Sequence, residues 1–197
     1  MVGVAWVFES AQSVKVVESV IESVGAELVG HFSVDCMPYN PSEGVQGLQS
    51  CYLLHHSYCP ESSFIQSGIL DSTKRTAATA DRGFDLVLSK LSKGLTSDTA
   101  GKFEVTGKEY KLADFYIRVG GAVMNSVSKG VVVEVEYAAS AIPTQCSSVL
   151  TEIVEYLFHE MKDNPKPNVF KNMQDYTMAD TMEQYLCIFL EMRKKAT

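Results

Sequence analysis

Two carboxylates, Glu134 and Glu136, stand either side of Val135 in the stretch 131–137. On a strand they project to the same side, because strand side chains alternate with period two. A pair set this way is what a divalent cation held inside a barrel needs from one strand. A second group, Cys51, His55, His56 and Cys59, carries the residue types that ligate zinc. On one strand, however, Cys51 and His55 share a face while His56 points the other way, and no second ligand pair follows at zinc-finger spacing. Asp35-Cys36 closes a strand, and its thiol reads as buried and inert. There is no G-x-S-x-G elbow and no G-x-G-x-x-G fingerprint. Gly101-Lys102 glances at a phosphate loop, but Phe103 stands where Ser or Thr would bind magnesium. No metal and no cofactor is expected.

The carboxylate pair belongs to a strand of strong alternation. Val131, Val133, Val135 and Tyr137 form one face, with Val132, Glu134 and Glu136 on the other, the pattern of a sheet with one dry and one wetter side. After Ile142-Pro143 the period changes. Leu150, Ile153, Val154, Leu157, Phe158 and Met161 make one stripe of an amphipathic helix over 145–162.

From the N-terminus, 2–8 predicts a buried strand and 12–24 a helix ended by Gly25. Residues 27–36 return to alternation, and 37–49, with Pro38, Pro41, Gly44 and Gly47, predict a loop. The strand 51–57 is apolar on both faces, Leu53 on one and Tyr52 and Leu54 on the other. Residues 63–66 pair with it after the turn at Pro60, and the small, polar stretch 67–80 predicts a flexible loop or an edge strand. A helix over 84–91, with Asp81 as its cap and Gly94 as its stop, leads to a loop at 97–101. Short strands follow at 102–106, 109–113 and 115–124. The last helix begins near Asp180, where Asp180 and Glu183 resemble a capping box, and buries Met182, Tyr185, Leu186, Phe189 and Leu190. The chain shows no repeated βαβ alternation. The expected fold is therefore α+β: a curled or barrel-like antiparallel sheet flanked by helices, with an N-terminal strand and helix and two C-terminal helices.

At 197 residues, 46% hydrophobic and 21% charged, the chain is expected to form one domain over 1–197. A net charge of −7 argues against gripping phosphate backbones and so against sequence-specific nucleic-acid binding. Five cysteines without a C-x-x-C pair predict free thiols in a reducing compartment. No apolar run reaches the length of a membrane span, and the strand at 2–8 lacks the basic flank of a signal peptide.

Three segments, Gly25-Ala26-Glu27 through Val34-Asp35-Cys36, Val133-Glu134-Val135-Glu136-Tyr137, and Ala179-Asp180-Thr181-Met182 with Gln184-Tyr185, together resemble the Mediator subunit 20 family of RNA polymerase II transcription. The stretch 37–80 departs most from it. The resemblance implies a non-enzymatic nuclear coactivator subunit with a barrel-like sheet. It implies pairing with Mediator subunit 18, docking through subunit 8 in the head module, and indirect contact with RNA polymerase II and general transcription factors. On this reading the Glu134 face lies outside or against a partner, and Tyr52, Leu54 and His56 are the expected partner-binding residues. The alternative is a divergent metal-dependent triphosphate hydrolase of tunnel-barrel type, whose Glu-x-Glu pair Glu134 and Glu136 resemble. It needs that face inside a tunnel with basic residues opposite, for which Arg118 is the nearby candidate. Many such hydrolases place a basic residue where this chain has Ala138, and no second strand here carries a Glu-x-Glu. A small-ligand carrier, the third reading, needs an open apolar cavity.

Overall fold

The computed structural model describes residues 2–45, 47–67, 76–91, 93–171 and 173–195. In chain order these form β1 (Val4–Ser10), α1 (Val14–Ser23), β2 (Glu27–Pro41), β3 (Cys51–His56), β4 (Ser62–Ser67), β5 (Thr76–Asp81) and α2 (Phe84–Lys90). There follow β6 (Leu95–Ser97), β7 (Phe103–Leu112), β8 (Phe115–Met124), β9 (Val127–Tyr137), α3 (Pro143–Leu157) and α4 (Met178–Lys194). The strands join in one antiparallel sheet of order β1-β9-β8-β7-β2-β3-β4-β5, with β6 also on β2. The sheet curls into a half-barrel, with β1 and β5 its two ends.

Two sets of apolar side chains give the sheet two covered faces. On the convex face, Trp6, Phe8, Ile117, Val133 and Val135 pack against Val17 and Ile21 of α1 and Leu150 and Val154 of α3. On the concave face, Val7, Phe32, Val34, Leu54, Phe64, Val105 and Val132 pack against Met182, Tyr185, Leu186 and Phe189 of α4. Burying each such side chain contributes roughly 1.5–3 kcal/mol, so neither helix layer is dispensable. Helix α4 starts at Thr177, whose side chain and backbone pair with Asp180 in a capping box; Asp180 is thus the far member of the box and not its start. The helix α3 ends at Leu157, before a separate turn at His159–Met161.

Two expected boundaries move. Strand β2 runs through Pro38 to Pro41, where a loop is expected, because Pro38 and Tyr39 pair with Tyr52 and Cys51 while Tyr39 and Asn40 also pair with β6. Strand β7 is one strand of ten residues across Gly107, not two short ones. Within the expected loop or edge 67–80, residues 76–81 form the edge strand β5, and 68–75 lie outside the described residues. Strand β3 is covered on both faces as its composition requires. Leu53 meets Leu88 and Phe84 of α2 on one side, and Leu54 meets α4 on the other.

Candidate functional site

Glu134 and Glu136 project from β9 onto the concave face, where α4 closes over them. Register places Arg118 of β8 directly opposite Glu134, and Glu109 of β7 opposite Arg118. Glu134 is 1% exposed, Glu136 5% and Arg118 1%. The expectation that an assembly subunit would hold the Glu134 face outside or against a partner is therefore corrected. The acidic side of the strand is the inner side, and Arg118 offsets what its burial costs.

The geometry is a fork of charge. Arg118 Nε donates to Glu109 Oε2 at 2.5 Å, and Nη1 donates to Glu134 Oε1 and to Glu136 Oε2, the latter at 2.8 Å. Glu134 Oε2 accepts from the Tyr185 hydroxyl of α4 at 2.7 Å and lies 3.3 Å from His56 Nε2. His56 Nδ1 accepts the Tyr58 backbone N–H at 3.0 Å, so the hydrogen on the ring sits on Nε2 and points at Glu134. The Gly3 N–H donates to Glu136 Oε1 at 2.8 Å. Among the described residues Arg118 Nη2 alone in this cluster lacks an acceptor, and the Tyr58 and Tyr116 rings lie 5.0 and 5.9 Å from the guanidinium carbon. Burial by itself would raise the Glu134 carboxyl, but the Arg118 charge, then the His56 and Tyr185 hydrogen bonds, outweigh it and hold its pKa at about 2. The same carboxylates push Arg118 the other way, against its own burial, and keep it charged.

This arrangement fits a structural tie and not a metal site. Each oxygen of Glu134 and of Glu136 already accepts a hydrogen bond, and Arg118 already supplies the positive charge that the pair needs. Among the described residues α4 side chains pack against the concave face and fill space that a tunnel or an open apolar cavity would need. Arg118 is brought to the pair as the sequence suggested. Glu109, Tyr185, Tyr58 and Tyr116 were not foreseen, although Glu109 and Arg118 follow from pairing β7 with β8 in register.

The histidines part company, as alternation requires. His55 lies on the opposite face, with Nδ1 3.1 Å from Asp35 Oδ2 and Nε2 3.2 Å from Ser63 Oγ. That resembles an acid–base–nucleophile row, but Ser63 is fully buried and donates its proton to Asp85 of α2 at 2.7 Å. The row ties α2 to β2, β3 and β4. Cys51 packs instead with Tyr39, Leu53 and Leu88, and the half-buried Cys59 packs against the concave-face cluster. Burial works against charge on His55, but the Asp35 hydrogen bond and the charges of Asp35 and Asp85 outweigh it and raise its pKa above 6.5. A raised pKa contributes stability that is full below 6.5 and is lost as pH rises through the folded value. His55→Gln is therefore expected to cost about 1–2 kcal/mol in mildly acidic buffer and clearly less in alkaline buffer, measured by urea unfolding at both. An equal cost at both would rule out a charged tie.

The strand residues Tyr52, Leu54 and His56 point into the same concave face. Leu54 and His56 are buried by the chain's own α4, and Tyr52 is half-buried beside Phe189, Leu190 and Arg193. Residues 2–190 match the family model described as TATA-binding related factor (TRF) of subunit 20 of Mediator complex. The chain belongs to the Mediator subunit 20 family. It is 42% identical over 197 residues to a Caenorhabditis briggsae protein named Mediator of RNA polymerase II transcription subunit 20, covering 98% of this chain and 99% of that one. The Homo sapiens protein of that name is 33% identical over 193 residues, covering 93% of this chain and 87% of that one. A chain of the Schizosaccharomyces pombe Mediator head module aligns with a TM-score of 0.44 at 14% identity, covering 79% of this chain and 93% of that one. As a subunit 20 family member the chain is a non-enzymatic Mediator subunit. No described helix is long and apolar enough to cross a membrane.

Proposed function

We propose that this Mediator subunit works in the nucleus by presenting surface within the head module, pairing with subunit 18 and docking through subunit 8. It acts on RNA polymerase II and general transcription factors only through the rest of the module. Membership of the subunit 20 family is the observation that carries the reading. Of Tyr52, Leu54 and His56, Tyr52 is the one left half-buried by the chain itself, and it is the first of the three to test as a partner contact.

A tagged chain recovered from nuclear extract is expected to bring down subunits 18 and 8 in comparable amounts, identified by mass spectrometry. Recovery of neither would overturn the reading. Tyr52→Asp is expected to reduce recovery of subunit 18 several-fold while the melting temperature stays within a few degrees of the parent. Undiminished recovery with the fold intact would remove Tyr52 from the interface.

A further inference from the structure

Helix α2 is held on one side and bare on the other. Inward, Leu88 packs with Leu53 and Tyr39. Asp85 accepts from Ser63 Oγ at 2.7 Å and lies 3.2 Å from His55 Nε2. These contacts fix the roll of the helix, and they leave Leu86 67% exposed and Val87 and Leu91 each 49%. On a helix, residues four apart stand one above the other, so Val87 and Leu91 form one row, and Leu86 and Lys90 form the row beside it. Leu48, itself 48% exposed, extends the apolar row. Its Cδ1 and the Leu91 carbonyl oxygen lie 3.5 and 3.6 Å from where a Cβ on Gly94 would stand. Single exposed apolar side chains are ordinary, but a cluster of them with a polar rim marks a place of contact.

The rim selects the occupant. Lys90 and Lys93 are exposed, and among the described residues neither is paired with a carboxylate. Asp85, the acid of this helix, is taken up by Ser63, His55 and Arg82. The patch is therefore apolar with a positive border, in a chain whose net charge is −7. Two copies meeting here about a two-fold axis would set lysines against lysines. The backbone decides the form of the occupant. Helix α2 pairs its own, and the Leu91 carbonyl accepts the N–H groups of Gly94 and Leu95 at 2.7 and 3.0 Å. The surface thus offers side chains and no ladder for an extended segment, whereas a helix arrives with its backbone already paired.

We propose that this face of α2 takes an acidic amphipathic helix of a partner protein, whose apolar stripe covers Leu86, Val87, Leu91 and Leu48 and whose carboxylates pair with Lys90 and Lys93. The site lies across β3 from Tyr52, so it is separate from the contact proposed there.

The test uses the full chain and a fluorescent helical peptide of leucine, alanine and glutamate, with its leucines three and four apart. Its controls are the same peptide with lysine for glutamate, and an isomer of equal composition with the leucines spread round the helix. Anisotropy is expected to show binding of the striped acidic peptide alone, with shifts of the Leu86 and Leu91 amide resonances in the unsubstituted chain. Lys90→Glu with Lys93→Glu is expected to weaken that binding by about tenfold or more, with an unchanged melting curve. Leu86→Ser is expected to weaken it several-fold, with a melting temperature close to that of the parent. No binding by the striped acidic peptide overturns the proposal, as does binding that leaves the Leu86 and Leu91 resonances unmoved or that the lysine substitutions do not weaken. Equal binding of the lysine peptide overturns the choice of an acidic partner, and equal binding of the spread isomer overturns the amphipathic helix. Concentration-dependent self-association through this face would make a second copy the occupant and overturn the proposal as well.

Discussion

Arg118→Met is expected to destabilise the fold by roughly 3–5 kcal/mol, the usual cost of leaving buried charges without their counter-ion. Methionine fills similar space, so the loss is electrostatic and not a cavity. Glu134 and Glu136, 1% and 5% exposed, would lose their shared cation, and Glu109 its 2.5 Å partner. The neutral combination Arg118→Met with Glu134→Gln and Glu136→Gln is then expected to recover much of the loss, since no charge remains uncompensated at the buried pair. The pH dependence carries the same signature. Glu134 sits at about 2 against an ordinary 4.5, so the stability it contributes is present above 4.5 and drains away as pH falls towards 2. In Arg118→Met the main cause of that depression is gone, and the gap between parent and variant should narrow over the same window. Urea unfolding across that range measures both; a single-variant loss under about 1 kcal/mol would show that the cluster does not hold the sheet to α4.

The local patterns were legible where one short segment decides the structure. The alternation of 131–137 and the stripe from Leu150 to Leu157 produce β9 and α3, and Gly25, at φ +86°, ends α1 as its place in the sequence requires. What alternation does not carry is which side of a strand is closed. Glu134 and Glu136 were correctly put on one side, but in water that side would be the wet one. It is dry because Arg118 comes from the neighbouring strand and Tyr185 from a helix some fifty positions on. The doubly apolar β3 poses the same difficulty: its residues demand cover, and only the fold shows that α2 and α4 supply most of it. Pro38 and Pro41 misled because proline weighs against a strand locally, whereas pairing with β3 and β6 outweighs it here.

Gly107→Ala is expected to cost about 3 kcal/mol, as forced overpacking does, although no larger side chain is lost. Glycine at 107 argues for a break when read alone, and that is why β7 looked like two strands. In the sheet it pairs with Gly120, and the two backbones approach so closely that a Cβ on Gly107 would stand 1.8 Å from the Val119 carbonyl oxygen. A Cβ on Gly120 would likewise meet the Thr106 carbonyl oxygen at 2.7 Å. Both obstacles are backbone, so the strands themselves must part. Gly121, one position along β8, supplies the control: a Cβ there meets nothing within 4 Å. Gly121→Ala is expected to be neutral or to stabilise by up to about 0.5–1 kcal/mol, because alanine restricts the unfolded chain more than the folded one. The two substitutions are chemically identical and differ only in where the neighbouring strand passes. Thermal unfolding of both, side by side, separates a close approach of strands from a general intolerance of side chains in this part of the sheet; equal losses would mean that β7 and β8 are not held in the register that pairs Gly107 with Gly120.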